Sequence, residues 1–269
     1  MPTMQPGLAA PERVILAVDT SDPNRAVQLM TMARQSGAVA VKLGLELITA
    51  TSPEACADMA AEAGLSWVAD QKIDDIPNTT AKTVGNYTRL SHPPLGITIH
   101  TTSGIDSMRK AQEAAADTGI VMLGVTELTS NKEAQLRKRY EFIFQELGHE
   151  LQIKEPADEP VLRRVLVHAL ARDAAEAGLG GLVASAKELV DPIKSDPLTA
   201  ERITMIPGTR SSGAESHDQQ NTETPKSAIV SGADFLVIGR QVTEAEDMAA
   251  ALEAVVAEVQ EGINERSAA

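Results

Sequence analysis

The chain has few of the residues that build disulfide-stapled, metal-bound or membrane-embedded proteins. Its 269 residues include one cysteine, Cys56, so an intrachain disulfide and a cysteine-based metal cluster are both excluded. No apolar run approaches the ~18 residues that a membrane-spanning helix needs. The segment from Met1 to Pro11 also lacks the basic and apolar regions of a secretion signal. A protein of a reducing, cytoplasmic compartment is therefore the expectation.

Aromatic and basic residues are also scarce. Aromatics make up 2% of the chain and hydrophobic residues of all kinds 43%, so the core must consist mainly of aliphatic side chains and methionine. The formal net charge of −14 argues against binding to nucleic acid or to anionic lipid, because both need a basic surface. A small anionic substrate is still compatible, since it responds to the local field of its site.

What the sequence does contain is an alternation of short apolar runs with helical segments, repeated eight times. The runs predict strands at 14–18, 39–42, 67–70, 96–100, 120–125, 181–184, 203–206 and 235–238, and a last helix is predicted at about 245–262. Each run is almost uniformly apolar, as expected of parallel strands buried on both faces. Because a (β/α)8 barrel takes about 250 residues, we predict a single (β/α)8 TIM barrel as one catalytic domain over residues 1–269.

Polar residues at the ends of these runs favour the barrel over a doubly wound sheet, which would show the same alternation. They stand at or just beyond the carboxyl ends of the predicted strands: Asp19, Lys42, Asp70, His100, Thr126, Pro207 and Arg240. In a barrel those ends converge on one mouth, where active sites lie.

Two segments interrupt the alternation, namely a charged excursion at about 131–159 and a polar loop at about 207–224 that is too long for a passive connection.

The most informative segment is DQKIDDIPNT, which runs from Asp70 to Thr79. Asp70 and Lys72 are two positions apart, so on a continued strand their side chains point to the same side. Pro77 is typical of the first residue of a helix. A bare D-x-K-x-x-D pattern would fit either a catalytic site or an ordinary charged loop. The remainder of the chain decides between these two interpretations.

A series of motifs in the same order resembles the orotidine 5′-phosphate decarboxylase family over nearly the whole chain. They are VILAVD at 14–19, VKLGLE at 41–46, D-x-K-x-x-DIPNT at 70–79, GVTELTS at 124–130, PGTR at 207–210 with the segment that follows it, and VIGR at 237–240. The resemblance implies a barrel enzyme that decarboxylates orotidine 5′-phosphate to uridine 5′-phosphate in pyrimidine biosynthesis without a cofactor.

The resemblance also implies the site residues. Lys42, Asp70, Lys72 and Asp75 would form an array of alternating charges, with Asp75 contributed by the neighbouring subunit of a homodimer and Lys72 protonating C6 of the pyrimidine. Two cations beside two anions hold one another in their charged forms, which supports this grouping. Substrate contacts are expected from seven further residues: Asp19, Thr79, Thr129, Arg210, Gln219, Gly239 and Arg240. The phosphate loop departs from the commoner family pattern at His217 and at Gln220–Asn221.

Two alternative functions are left open. The resemblance extends to sugar-phosphate decarboxylases and aldolases of the same superfamily, which share D-x-K-x-x-D but use magnesium and carry glutamate where this chain has Lys42. A cation at that position would repel the metal, and the five histidines show no metal-ligand spacing, so no metal site is predicted. A non-catalytic barrel that binds a phosphate ligand is the other alternative, although such a protein would usually have lost the catalytic charges.

Overall fold

The computed structural model describes residues 4–149, 161–211 and 223–268, and in these residues eight parallel strands close into a barrel. The strands are β1 (Val14–Val18), β2 (Ala40–Gly44), β3 (Ser66–Ile73), β4 (Gly96–His100), β5 (Val121–Val125), β6 (Gly181–Val183), β7 (Ile203–Pro207) and β8 (Phe235–Ile238). Their order around the barrel is their order in the chain, and β1 pairs with β8 to complete it. The predicted (β/α)8 barrel is confirmed, and β1, β4 and β8 have the predicted bounds.

Helices are interleaved with the strands. Within the described residues they are α1 (Pro23–Gln35), α2 (Leu45–Ala50), α3 (Pro53–Glu62), α4 (Pro77–Tyr87), α5 (Ile105–Ala115), α6 (Glu133–Glu146), α7 (Val161–Glu176), α8 (Pro225–Val230), α9 (Arg240–Thr243) and α10 (Met248–Ala268). Helix α4 begins at Pro77, as predicted. Helix α6 lies in the charged excursion, and Leu136 is its one buried residue. Over the same part of the chain, no helix combines the length and apolar character needed to cross a bilayer.

The predicted end of the last helix at Gly262 is wrong, because α10 continues to Ala268. Gly262 is buried in the interface with α8, where a Cβ atom would lie 2.8 Å from the Ile229 Cβ and 2.8 Å from the Lys226 carbonyl oxygen. This glycine therefore permits close approach of two helices and does not end one. Only the packing of α10 on α8 reveals that Gly262 serves helix contact and not helix termination.

Aliphatic side chains and methionine, together with Phe235, fill the barrel, in keeping with the low aromatic content. The residues buried inside it are Met4, Ile15, Ala17, Ala40, Val68, Leu123, Met205, Phe235 and Val237. The opposite faces of the same strands, including Leu16 and Val41, belong to a larger buried cluster that also contains helix residues. Both faces of the strands are thus buried, which accounts for their almost uniformly apolar sequences.

Strand β3 departs from regular geometry within the D-x-K motif. It pairs with β4 at Ala69–Ile97 and again at Ile73–Ile99, so four residues of β3 span the length of two residues of β4. Inside this bulge Lys72 has a φ of +48°, a left-handed conformation that few non-glycine residues adopt. The strand predicted at 67–70 is longer than expected, because it continues through the bulge to Ile73. Bulges of this kind redirect side chains beside active sites.

Candidate active site

Four charged side chains, one just after β1 and the others on β2 and β3, meet in one series of ion pairs. Both carboxylate oxygens of Asp70 accept from Lys72 Nζ at 2.8 Å, and Asp70 Oδ2 lies 3.2 Å from Lys42 Nζ. Lys42 Nζ also donates to Asp19 Oδ1 at 3.0 Å. The charges alternate in sign along the order Asp19, Lys42, Asp70, Lys72, so each interior group has an opposite charge on both sides.

Burial and neighbouring charge act in opposite directions on the two interior groups. The side chains of Lys42 and Asp70 are each 12% exposed, whereas that of Asp19 is 60% exposed. Burial alone would raise the pKa of Asp70, but the adjacent Lys42 and Lys72 outweigh it and hold that pKa below its ordinary value. Burial alone would lower the pKa of Lys42, but Asp70 and Asp19 outweigh it and raise that pKa. Both groups are therefore charged throughout the neutral pH range.

Gly44, which ends β2, lies against the ion pair of Lys42 and Asp19. A Cβ atom on Gly44 would lie 3.3 Å from Lys42 Nζ and 3.8 Å from Asp19 Oδ1. A side chain here would crowd that ion pair. The motif VKLGLE contains this glycine, but the sequence does not indicate which side chain it faces.

A threonine that sequence reasoning missed completes the hydrogen bonding of Asp70. The Oγ1 atom of Thr98, on β4, donates to Asp70 Oδ1 at 3.0 Å and accepts from the Lys72 backbone N–H at 2.8 Å. Thr98 is fully buried. Threonine is common in strands for packing reasons, so its occurrence in the run GITIH carried no signal for a site.

Asp75 stands apart from the chain of charges. It is exposed just before α4, where its Oδ1 accepts from the Ile76 backbone N–H at 2.7 Å. The hydroxyl groups of Thr80 and Ser107 donate to its backbone oxygen, the former at 3.1 Å, so this rim segment is held firmly. In the described part of the chain, no ion pair joins Asp75 to Lys42 or Lys72. A single chain thus assembles three of the four predicted catalytic charges.

The two threonines predicted to contact substrate lie on exposed segments. Thr79 is exposed in the first turn of α4, and Thr129 is exposed in a turn after β5. Both follow strand ends on the side of the barrel that carries the charged side chains. Their contacts with substrate stay predictions.

An arginine from α7 fixes the turn that carries Thr129. The Arg163 guanidinium donates to the Glu127 carbonyl oxygen at 2.9 Å and to the Leu128 carbonyl oxygen at 3.0 Å. It also pairs with Glu188, after β6, at 2.7 Å. The loops that follow β5 and β6 are therefore tied to one another. Arg163 lies far from every motif in the sequence, so only the fold reveals this role.

Two arginines approach each other after β7 and β8. Arg210 is buried, and its Nη1 donates to the Thr209 carbonyl oxygen at 3.0 Å. Burial and the nearby positive charge of Arg240 both lower the pKa of Arg210, and its buried Nε has no hydrogen-bond partner among the described residues. Two neighbouring guanidinium groups provide donors and positive charge for an anion such as phosphate. Gln219 lies outside the described residues, as does most of the predicted phosphate loop.

A cleft of about 440 Å³ lies beside Asp19 and Arg240. Its walls include Asp19 after β1, Arg25 of α1, and Gly239, Arg240 and Glu244 after β8. A Cβ atom on Gly239 would meet only Ala17 at an ordinary contact distance of 3.8 Å, so packing does not demand glycine there. The cleft thus contains a carboxylate suited to hydroxyl groups and cations suited to an anion.

Known proteins with similar sequences and folds agree on one family. Residues 12–255 match the model of the Orotidine 5′-phosphate decarboxylase / HUMPS family. An orotidine 5′-phosphate decarboxylase from Opitutus terrae is 35% identical over 250 residues, which cover 91% of this chain and 97% of that protein. One from Streptococcus thermophilus is 35% identical over 211 residues, 78% of this chain and 81% of that protein. The crystal structure of orotidine 5′-phosphate decarboxylase from Lactobacillus acidophilus shares the fold, with a TM-score of 0.72 and 24% identity over 92% of this chain and 99% of that chain. The chain therefore belongs to the orotidine 5′-phosphate decarboxylase / HUMPS family.

Proposed function

We propose that this chain decarboxylates orotidine 5′-phosphate to uridine 5′-phosphate in pyrimidine biosynthesis, without a cofactor. The observation that carries the proposal is the series of ion pairs formed by Asp70 of β3 with Lys42 of β2 and Lys72 of β3. It supplies a fixed ammonium group at the barrel mouth, and the named relatives are decarboxylases of this substrate.

The reaction needs a positively charged group beside C6 of the pyrimidine, where negative charge develops. Loss of carbon dioxide breaks the bond to C6 and leaves its electron pair on a carbon that has no adjacent carbonyl group to accept it. In the proposal the Lys72 ammonium stabilises that charge and then transfers a proton to C6, which leaves lysine as a neutral amine. Asp70 holds Lys72 at 2.8 Å before substrate arrives, so little reorganisation is needed during the reaction.

The competing function is a magnesium-dependent reaction of a sugar phosphate, and the donor atoms at the site do not fit it. Magnesium is bound through oxygen ligands. Here Lys42 Nζ lies between Asp19 Oδ1 and Asp70 Oδ2, at 3.0 Å and 3.2 Å, and occupies the space between the two carboxylates. Among the described residues, no group of three or more His, Cys, Asp or Glu side chains is placed to hold a metal.

The proposal is tested by following the loss of orotidine 5′-phosphate absorbance with the purified protein. We expect turnover that neither exhaustive chelation nor added magnesium changes. Activity that disappears on chelation and returns with magnesium would instead favour the sugar-phosphate reaction. A folded protein that binds the nucleotide and never turns it over would favour the non-catalytic barrel.

The functional unit in this proposal is a cytoplasmic homodimer with shared active sites. Asp75 of each chain reaches into the site of its partner. There it completes the predicted array with Lys42, Asp70 and Lys72. Two features support this arrangement. Asp75 is held at the rim, away from the charged residues of its own chain. The apolar side chain next to it, Ile76, is 66% exposed, as a partner would require.

Replacing Arg240 by alanine is expected to weaken the capture of phosphorylated substrate. A charge-assisted hydrogen bond contributes about 1.5–3 kcal/mol, so kcat/KM for orotidine 5′-phosphate should fall by roughly 10- to 100-fold. Unphosphorylated orotidine lacks the group concerned and should be affected little.

The measurement compares kcat/KM for the two substrates in the Arg240→Ala enzyme. Arg109→Ala serves as a matched control, because Arg109 is a surface residue of α5 paired with Asp106, and it should change neither value. An equal loss for both substrates would show that Arg240 is not the phosphate ligand.

A further inference from the structure

We propose that Thr98 is a positioning residue for the reaction, and that its hydroxyl group sets both Asp70 and Lys72 in their working geometry. The inference rests on the proposed function and adds to it a residue from a fourth strand, β4. Thr98 does not donate a proton to substrate in this proposal. It acts through the two residues that it contacts.

The bulge in β3 creates the need for such a residue. Between Ala69 and Ile73 the regular ladder with β4 is interrupted, so the Lys72 N–H cannot use a carbonyl group of β4 as a regular strand would. That N–H donates to Thr98 Oγ1 at 2.8 Å instead. A side chain of β4 therefore takes the place of the missing backbone acceptor and supports the left-handed conformation of Lys72.

The chemistry of a hydroxyl group determines the direction of both bonds. A backbone N–H can only donate, and an ionised carboxylate can only accept. Thr98 Oγ1 must therefore accept from Lys72 and use its single proton for Asp70 Oδ1, at 3.0 Å. One buried oxygen atom thus ties the backbone of the proton donor and the carboxylate of its partner to the same point on β4.

The hydroxyl is suited to this role because Thr98 is buried together with the carboxylate that it positions. Thr98 is fully buried, and Asp70 beside it is largely buried. Without the hydroxyl, the partly buried Lys72 N–H would lose its acceptor, which is costly. We expect the bulge to rearrange in response and to move Lys72 Nζ away from C6.

The test compares Thr98→Val, which keeps the shape of the side chain, with Thr98→Ser, which keeps the hydroxyl. The matched control is Thr204→Val. Thr204 is also fully buried in a barrel strand, β7, and its hydroxyl group also bonds an aspartate, Asp234, at 3.0 Å. Thr204 lies at the amino end of its strand, so its loss costs stability without touching the active site.

We expect Thr98→Val to lower kcat for orotidine 5′-phosphate about 100-fold, the cost of misplacing a reacting group by about 1 Å. Binding of uridine 5′-phosphate should stay within a few-fold of wild type, because Thr98 does not contact the arginine pair. Thr98→Ser should restore most of the turnover. Thr204→Val should lower the melting temperature and leave kcat unchanged.

Three results would overturn the inference. The first is a Thr98→Val enzyme with the kcat of wild type. The second is a Thr98→Ser enzyme that does not recover turnover. The third is an equal loss of kcat in Thr204→Val, which would show that lower stability alone reduces turnover. If Thr98→Val does not fold, Thr98→Ala removes the same hydroxyl without a steric clash and gives the same comparison. A wild-type protein that does not decarboxylate the substrate would instead refute the proposed function, and the inference with it.

Discussion

Replacing Lys72 by alanine is expected to abolish decarboxylation and to leave a folded protein that still binds uridine 5′-phosphate. The ammonium group is the proton donor of the proposed reaction, and it also stabilises the charge that develops on C6. Loss of a general acid costs about 10²–10⁴-fold, and loss of electrostatic stabilisation about 10²–10³-fold. We therefore expect kcat to fall by about 10⁴-fold or more. Product binding should persist, because ribose, base and phosphate contacts hold the product.

The measurement is single-turnover decarboxylation together with calorimetric binding of uridine 5′-phosphate. Lys110→Ala is the control, since Lys110 is an exposed residue of α5 that pairs with Glu113, and the change should have no effect on either value. The fold should tolerate Lys72→Ala because Asp70 retains Lys42 at 3.2 Å and the Thr98 hydroxyl at 3.0 Å. Substantial residual decarboxylation would show that another group protonates C6.

Mixing two inactive variants, Lys72→Ala and Asp75→Asn, is expected to restore roughly a quarter of wild-type activity. In a mixed dimer with shared sites, one site receives both changes. The other receives native Lys72 from one chain and native Asp75 from its partner, so it is intact. Random reassociation makes half of the dimers mixed, and half of the sites in those dimers are intact, which leads to roughly a quarter by two-fold symmetry.

The experiment dissociates the two variants together, lets them reassociate, and measures turnover against each variant treated alone. Subunit exchange is confirmed separately by mass spectrometry of tagged chains. If Asp75 serves the site of its own chain, every site keeps one change and mixing restores nothing. That result would refute the shared site and leave the decarboxylase assignment standing.

The sequence was sufficient for the architecture and for the placement of Asp19, Lys42 and Asp70 at one mouth of the barrel. Both signals are local. A strand buried on two faces must be apolar along its length, so runs such as 96–100 could be delimited from the chain alone. In parallel barrels the carboxyl ends of strands share one mouth, so Asp19, Lys42 and Asp70 could be expected to lie near one another before any distance was known.

The tertiary structure decided which partner each of these groups has. Thr98 bonds Asp70 across 28 positions of sequence, and Arg163 bonds the carbonyl of Glu127 across 36. Neither contact has a local signature, because a threonine in a strand or an arginine in a helix is ordinary. Such contacts depend on strand register, and the bulge in β3 changes that register within the motif itself. The sequence by itself therefore determined the barrel and its charges, whereas only the packing of β3 against β4 decided how Lys72 is held and aimed.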